Sequence, residues 1–341
     1  MTTGRTTHLL LLRFSALGDV LMTVPVIDAL AREYPYVKIT VVSRPFVGSV
    51  FCLLPSNVTF VGINPRNYKG LAGLWRLYGE LKALGPTHIA DLHDVLRTKV
   101  IRKFFALSGY PVRHIVKNRK ARRDFIRSTI KVQQTTGFER YAQVLARLGF
   151  PVTLDVAKPF SLVRARHEDG DALRVGIAPF AAHKGKVYPL GKMEEVVRLL
   201  SQGGCHTFLF GAGDYEKKIM TAWAQKYNNT ECVVGTLPDM AAELQLMARL
   251  DVILTMDSGN MHLAALCSTP VVSIWGATHP LGGFMGWGCK RENVLEFPGM
   301  ECRPCSIYGS KPCKWGDYRC LQQITPQQVV EKLKTACNKA R

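Results

Sequence analysis

The sequence predicts an α/β protein built from two Rossmann-type domains, and three observations carry that prediction. Short apolar runs alternate with amphipathic stretches along the whole chain, the pattern of parallel strands joined by crossover helices. The 341 residues exceed what one ordinary core accommodates. A polar stretch, RARHEDGD at 164–171, separates two series of such elements. The expected domains are therefore 1–163 and 164–341, with a last helix that packs back on the N-terminal domain.

In the first series, strands are expected at 8–14, 38–43, 59–63, 88–92 and 114–116. Between the first two, Val20, Leu21, Val24, Ile27 and Ala31 recur at helical spacing, predicting a helix over 20–34. Pro25 marks its first turn or a kink. In the second series, strands are expected at 174–180, 206–213, 251–259 and 271–276. Helices are expected at 193–200, 215–227, 240–249 and 262–268. Ligands of such open sheets bind at the C-terminal ends of the strands, so the cleft between two such domains is the expected site.

Composition narrows the class. Hydrophobic residues make up 47% and charged residues 21%, as in a globular chain rather than a disordered one. No run of 18 apolar residues occurs, so no spanning helix is expected. The opening MTTGRTTHLLLLRF superficially suggests a signal peptide. Its leucine run is cut by Arg13 with no small-residue cleavage site behind it, which favours a first β-strand in a cytoplasmic protein.

Lys and Arg exceed Asp and Glu by 45 to 26, a net charge of +19. Between Leu96 and Val132 stand twelve Lys/Arg and one acid, Asp124. That concentration points to an anionic partner met at one place, the alternative being a solvated basic face. Within it, KNRKARRDFIRSTIKV (117–132) carries Phe125, Ile126 and Ile130 among its charges, as an interfacial amphipathic helix would.

Five motifs carry candidate chemistry. In DSGNMHLAAL (257–266) a strand ends at Asp257, Ser258 and Gly259 make a tight turn, and a helix starts. Unbonded N–H groups at that start suit a diphosphate, with Ser258 or His262 as further donors; the alternative is an N-cap and a satisfied core histidine. GAGDYE (211–216) ends a strand with glycines and offers two acids, Asp214 and Glu216. HKGKVYPLGK (183–192) offers two lysines, Lys184 and Lys186. RFSALGDVLM (13–22) places Gly18 and Asp19 where a buried strand turns into a helix, a position an N-cap aspartate also takes. The fifth is a cysteine cluster, Cys302, Cys305, Cys313 and Cys320. Its C-x2-C pair is compatible with a structural zinc, with reduced thiols, or with disulfides.

Three of these motifs together resemble the ADP-heptose:lipopolysaccharide heptosyltransferase family, inverting enzymes of glycosyltransferase family 9. The first is ILTMDSGNMHLAA followed by PVVSIWGATHP; the second is the opening strand with Gly18-Asp19 and its helix; the third is the Lys186, Tyr188, Pro189 segment. They occur in the family's order over nearly the whole chain. The aromatic at 188 is Tyr where the family carries Trp.

The resemblance implies a GT-B fold, two Rossmann-like domains facing a central cleft, with a nucleotide sugar held mainly by the C-terminal one. It implies Asp19 as general base and Lys186, in preference to Lys184, as the charge that neutralises the leaving diphosphate. On the donor side it groups Gly18, Lys184, Asp214, Glu216, Asp257, Ser258, Gly259 and His262, an acid of the GAGDYE segment serving the ribose. Gly18 also leaves room for the acceptor sugar. Arg97, Lys99, Arg122 and Arg123 are acceptor-side candidates by location.

The implied activity is transfer of a heptose or related sugar, with inversion, from a nucleotide-diphosphate sugar such as ADP-heptose to a lipopolysaccharide core or lipid A-type acceptor. No cofactor is expected in catalysis. The expected partners are the nucleotide sugar, a phosphorylated lipid-linked saccharide and the anionic inner face of the inner membrane, with no nucleic acid. Two other readings predict different behaviour. A nucleotide-sugar epimerase of the same fold converts donor alone, and a nucleic-acid-binding protein shows tight, salt-dependent binding.

Overall fold

The computed structural model describes residues 6–155 and 172–338. They form two compact units. The first comprises 6–117, 137–155 and 239–241, the second 118–136, 172–238 and 242–338. The domain boundary expected at 163/164, with its polar stretch, lies outside the described residues.

The first unit is built on five parallel strands: β1 His8–Leu12, β2 Lys38–Ser43, β3 Val58–Gly62, β4 His88–Asp91 and β5 Val112–His114. Their order is β3-β2-β1-β4-β5. All five residues of β1 are buried, the signature of a central parallel strand covered on both faces. The expected helix over 20–34 is two helices, α1 Leu17–Leu21 and α2 Val24–Glu33. The break falls at Thr23, whose hydroxyl donates to Val20 O, and Pro25 opens the second helix, where its missing N–H costs nothing. The short α3 Gly48–Phe51, then α4 Gly70–Ala83 and α5 Leu96–Leu107, complete the crossovers.

Next in the chain, α6 Arg119–Arg127 belongs to the second unit, and α7 Gly137–Arg147 returns to the first. The helix expected through 117–132 is therefore shorter, because Ser128 already has extended backbone. Phe125 is not available to a membrane interface: it is buried, its ring 5.8 Å from that of His279. Ile130 does stay exposed.

The second unit has six parallel strands: β6 Arg174–Ala178, β7 His206–Leu209, β8 Thr230–Cys232, β9 Val252–Met256, β10 Val271–Ile274 and β11 Val294–Leu295. Their order is β11-β10-β9-β6-β7-β8. The helices are α8 Leu190–Gln202, α9 Gly213–Lys226, α10 Met240–Met247, α11 Gly259–Ala265, α12 Arg319–Gln322 and α13 Pro326–Asn338. The last helix, expected on the N-terminal domain, packs on its own unit. Val329, Leu333, Ala336 and Cys337 join the core of β6, β9 and β10. Each sheet reverses its strand order once, between β1 and β4 in the first unit and between β6 and β9 in the second. The loops leaving those strand pairs diverge, opening a crevice in which ligands of open α/β sheets bind. Among the described residues no helix is long and apolar enough to cross a membrane.

Candidate active site

Both switch points carry an ion pair. In the second unit, Lys186 leaves the loop after β6 and Asp257 directly follows β9, with Nζ 2.8 Å from Oδ2. The side chains are 15% and 7% exposed. Thr278, beyond β10, donates its hydroxyl to the same Asp257 Oδ2 at 2.8 Å. Asp257 Oδ2 is thus held by the Lys186 ammonium and the Thr278 hydroxyl together.

Lys186 reaches this place because its loop lies directly against the one after β10. Ala277 N–H donates to Gly185 O at 2.8 Å. A Cβ on Gly276 would stand 2.5 Å from that same carbonyl oxygen, so no side chain fits there. Gly309, at φ +74°, lies over the methylenes of Lys186, where an added Cβ would come within 2.9 Å. Tyr188 fixes the far end: it is buried, its hydroxyl donates to Ile324 O at 2.8 Å, and burial pushes its ionisation up. Arg303, also buried, ties the partner loop by donating to Gly276 O and Thr278 O at 2.6 and 3.1 Å. It also pairs with Glu296 at 3.0 Å. Lys184 points elsewhere, its ammonium over the Tyr318 ring at 5.6 Å. The two lysines thus differ in direction, Lys186 toward Asp257 and Lys184 toward Tyr318.

Ser258 is the N-cap of α11 by position, with extended backbone, yet its side chain makes no capping bond. Its hydroxyl oxygen is buried and has no hydrogen-bond partner among the described residues. Gly259 opens α11, and His262 is buried within it. Of the two acids after β7, Glu216 is half-buried and accepts from Ala212 N–H at 2.8 Å, which fixes it at the start of α9. Asp214 is exposed.

In the first unit, Asp19 lies inside α1, three residues after its N-cap Ala16, so it is not the cap. A carboxylate in the first turn interacts favourably with the helix dipole. Its Oδ2 meets Arg13 Nη2 at 2.5 Å. Gly18 precedes it in the same turn. Across the switch point, His93 follows β4. It is buried, with Nε2 3.3 Å from Ser15 Oγ. Burial, reinforced by the Arg13 and Lys117 charges, pushes this imidazole down to about 3, so it is neutral at neutral pH.

The basic residues named from the sequence separate. Arg97 lines a cavity of about 300 Å³ with Arg44, Arg66 and Asn64, all in the first unit. Lys99 is 3.7 Å from Asp94. Arg122 sits in the second unit, donating to the Tyr308 hydroxyl and lying over the Phe284 and Tyr308 rings. Arg123 is exposed on the same helix. Arg97 and Lys99 thus belong to the first unit, Arg122 and Arg123 to the second.

The zinc reading of the cysteine cluster is not supported. Among the described residues, no three His, Cys, Asp or Glu side chains are arranged to hold a metal ion. Cys320 is buried in the core with Leu321 and Ile324. Cys313 instead has its sulfur 4.0 Å from Asp317 Oδ1. No disulfide joins Cys302, Cys305, Cys313 and Cys320.

Arg13, His93, Thr278, Arg303, Arg44 and Arg66 also stand at these places, and no motif in the sequence assigns them a role. Arg13 left a signal, a charged residue closing an otherwise apolar central strand. The others need the tertiary fold, since nothing local distinguishes them.

Comparison with known proteins bears on the fold and the family. A lipooligosaccharide heptosyltransferase 2 of Campylobacter jejuni is 26% identical over 129 residues, 37% of this chain and 39% of that protein. The alignment thus spans well under half of that relative. Among solved structures, the ADP-heptose lipopolysaccharide heptosyltransferase II of E. coli superposes with a TM-score of 0.71 at 17% identity, over 98% of this chain and 99% of that one. The E. coli heptosyltransferase WaaC, solved with ADP, gives 0.67 at 16% identity, over 97% and 100%. At these identities the likeness establishes the fold, α/β of the GT-B class. Residues 116–313, more than half of the chain, match the family described as Glycosyltransferase family 9 (heptosyltransferase), and to that family this chain belongs.

Proposed function

We propose that this protein is an inverting heptosyltransferase, using a nucleotide-diphosphate sugar, ADP-heptose, and a phosphorylated, lipid-linked saccharide of the lipid A type. The observation that carries the reading is the buried Lys186–Asp257 pair, 2.8 Å long, at the switch point of the second unit. A lysine held there by a carboxylate and by packed glycine loops is a preorganised positive charge, the group a departing diphosphate requires. The buried Ser258 hydroxyl, which has no hydrogen-bond partner among the described residues, supplies a further donor to the same phosphates. Glu216, fixed after β7, accepts from the ribose hydroxyls. The ADP carried by WaaC supports adenosine as the nucleoside.

On the acceptor side, Asp19 takes the proton of the attacking hydroxyl. That oxygen forms its bond to the anomeric carbon as the carbon–oxygen bond to the diphosphate breaks. The electron pair leaves on the phosphate oxygen, where Lys186 meets it. One displacement inverts the anomeric centre, and neither step asks for a metal. The Arg44, Arg66 and Arg97 cavity of the first unit suits an acidic acceptor group. The +19 charge suits work at an anionic membrane face, the cytoplasmic side of the inner membrane.

The test is nucleotide selectivity. A ligand that binds only the folded state raises its melting temperature. ADP should raise it more than UDP or GDP, and Lys186→Ala should weaken use of ADP-heptose. A preference for another nucleotide, or unchanged donor kinetics in Lys186→Ala, would overturn the reading.

A further inference from the structure

We infer that Arg13 is the positioning residue for the Asp19 carboxylate: a buried guanidinium that clamps one carboxylate oxygen and leaves the other directed to the acceptor hydroxyl. The inference rests on the reading of Asp19 as general base.

Arg13 directly follows β1 and still hydrogen-bonds as part of the sheet, its N–H donating to Val42 O at 3.1 Å. Its Cα is therefore fixed by the most buried strand of the unit. The guanidinium then bridges the two loops of the switch point. Nη1 donates to Leu92 O, just past β4, at 2.6 Å, and Nη2 meets Asp19 Oδ2 at 2.5 Å. The guanidinium carbon lies 5.8 Å from the centre of the Tyr141 ring. Tyr141 in turn donates its hydroxyl to the backbone carbonyl of Asp19 at 3.1 Å. The carboxylate and the backbone of Asp19 are thus held by two residues that touch each other.

The exposure of the pair is unequal in the direction the role requires. The arginine side chain is 8% exposed and the aspartate 28%. The cation stands behind, anchored, and the carboxylate faces outward. Arg is suited to this and Lys is not, because two N–H groups in one rigid plane serve the carbonyl and the carboxylate together. Arg also keeps its proton throughout, so it orients the base without competing in the proton transfer. Because it holds Asp19 through Oδ2 and meets no reacting atom, its contribution is to geometry.

The experiment uses the full chain with Arg13→Gln, Arg13→Lys, Asp19→Asn and the Arg13→Gln/Asp19→Asn double variant. Transfer from ADP-heptose to a deacylated lipid A-type saccharide is measured with ADP affinity and melting temperature. A misplaced catalytic group costs about 100-fold in rate. Arg13→Gln should therefore lower kcat by roughly that factor, while ADP affinity and the KM for donor stay within about twofold. Arg13→Lys, which keeps the charge, should fold and recover part of the loss.

In the double variant the base is already gone, so the losses should not multiply; residues that act as a unit are non-additive in this way. Parental kcat in both Arg13 variants, or multiplied losses in the double variant, would overturn the clamp alone. Parental kcat in Asp19→Asn would overturn the base assignment itself, and the clamp with it. Should Arg13→Gln fail to fold, Arg13→Lys decides: kcat equal to the parent overturns the role, and a loss with ADP affinity retained supports it.

Discussion

Replacing Lys186 by methionine removes a charge while keeping most of the side-chain volume, and two consequences separate cleanly. The first is stability. Asp257 is left 7% exposed, still bonded to the Thr278 hydroxyl at 2.8 Å. Removing one partner of a buried ion pair costs about 3–5 kcal/mol. The surviving Thr278 bond and the 15% exposure of the lysine place this case near the lower end, about 3 kcal/mol. Adding Asp257→Asn removes the orphaned charge and should restore stability to within about 1 kcal/mol.

The second consequence is binding. A hydrogen bond to a charged group contributes about 1.5–3 kcal/mol, so ADP should bind about 10–100-fold more weakly. The second substitution should not restore that. Urea unfolding followed by tryptophan fluorescence reads stability, since Trp223, Trp275 and Trp287 all lie in the second unit. Titration calorimetry with ADP reads affinity. Parental stability in Lys186→Met would rule out a stabilising Lys186–Asp257 pair, and recovery of ADP affinity in the double variant would rule out Lys186 as a diphosphate ligand.

Three further outcomes follow from named contacts. Gly276→Ala should destabilise by about 1–3 kcal/mol and weaken ADP binding, because its Cβ would meet the Gly185 carbonyl oxygen at 2.5 Å and push the Lys186 loop away; unfolding midpoints and calorimetry check both. His93, held down at about 3 when folded, leaves the unfolded chain to take up the proton first as pH falls below about 6.5. Its share of stability is complete above that pH and declines at roughly 1.4 kcal/mol per unit on the way down. Urea midpoints at pH 7 and 4.5 should therefore fall less in His93→Gln than in the parent. Arg66→Ala and Arg97→Ala should raise the KM for a phosphorylated acceptor and flatten its salt dependence, with the KM for donor unchanged.

Much of the fold was legible because parallel strands announce themselves. HLLLL reads as a buried strand, and DVILTM and VVSIW do the same in the second half. Motif residues at strand ends were legible for the same reason: Asp19, Lys186 and Asp257 each follow a run that has to be a strand. What local sequence does not contain is direction and distance. Lys184 and Lys186 differ only in which way the loop turns them, a choice made by glycines 276 and 309, far along the chain. Arg303 stands in the cysteine-rich segment that drew attention to metal, yet its work is to bridge three carbonyls. The basic segment read as an amphipathic membrane helix because Phe125 sits among charges; the residue that covers it, His279, is over 150 positions away.

Sugar transfer from a nucleotide donor, with Asp19 as the base, is tested by incubating purified protein with ADP-heptose and a deacylated lipid A-type acceptor and reading the products by mass spectrometry. The expected result is an acceptor heavier by one heptose residue, released ADP, an unchanged donor when acceptor is omitted, and loss of product in Asp19→Asn. Conversion of ADP-heptose without acceptor, or undiminished product from Asp19→Asn, would contradict it.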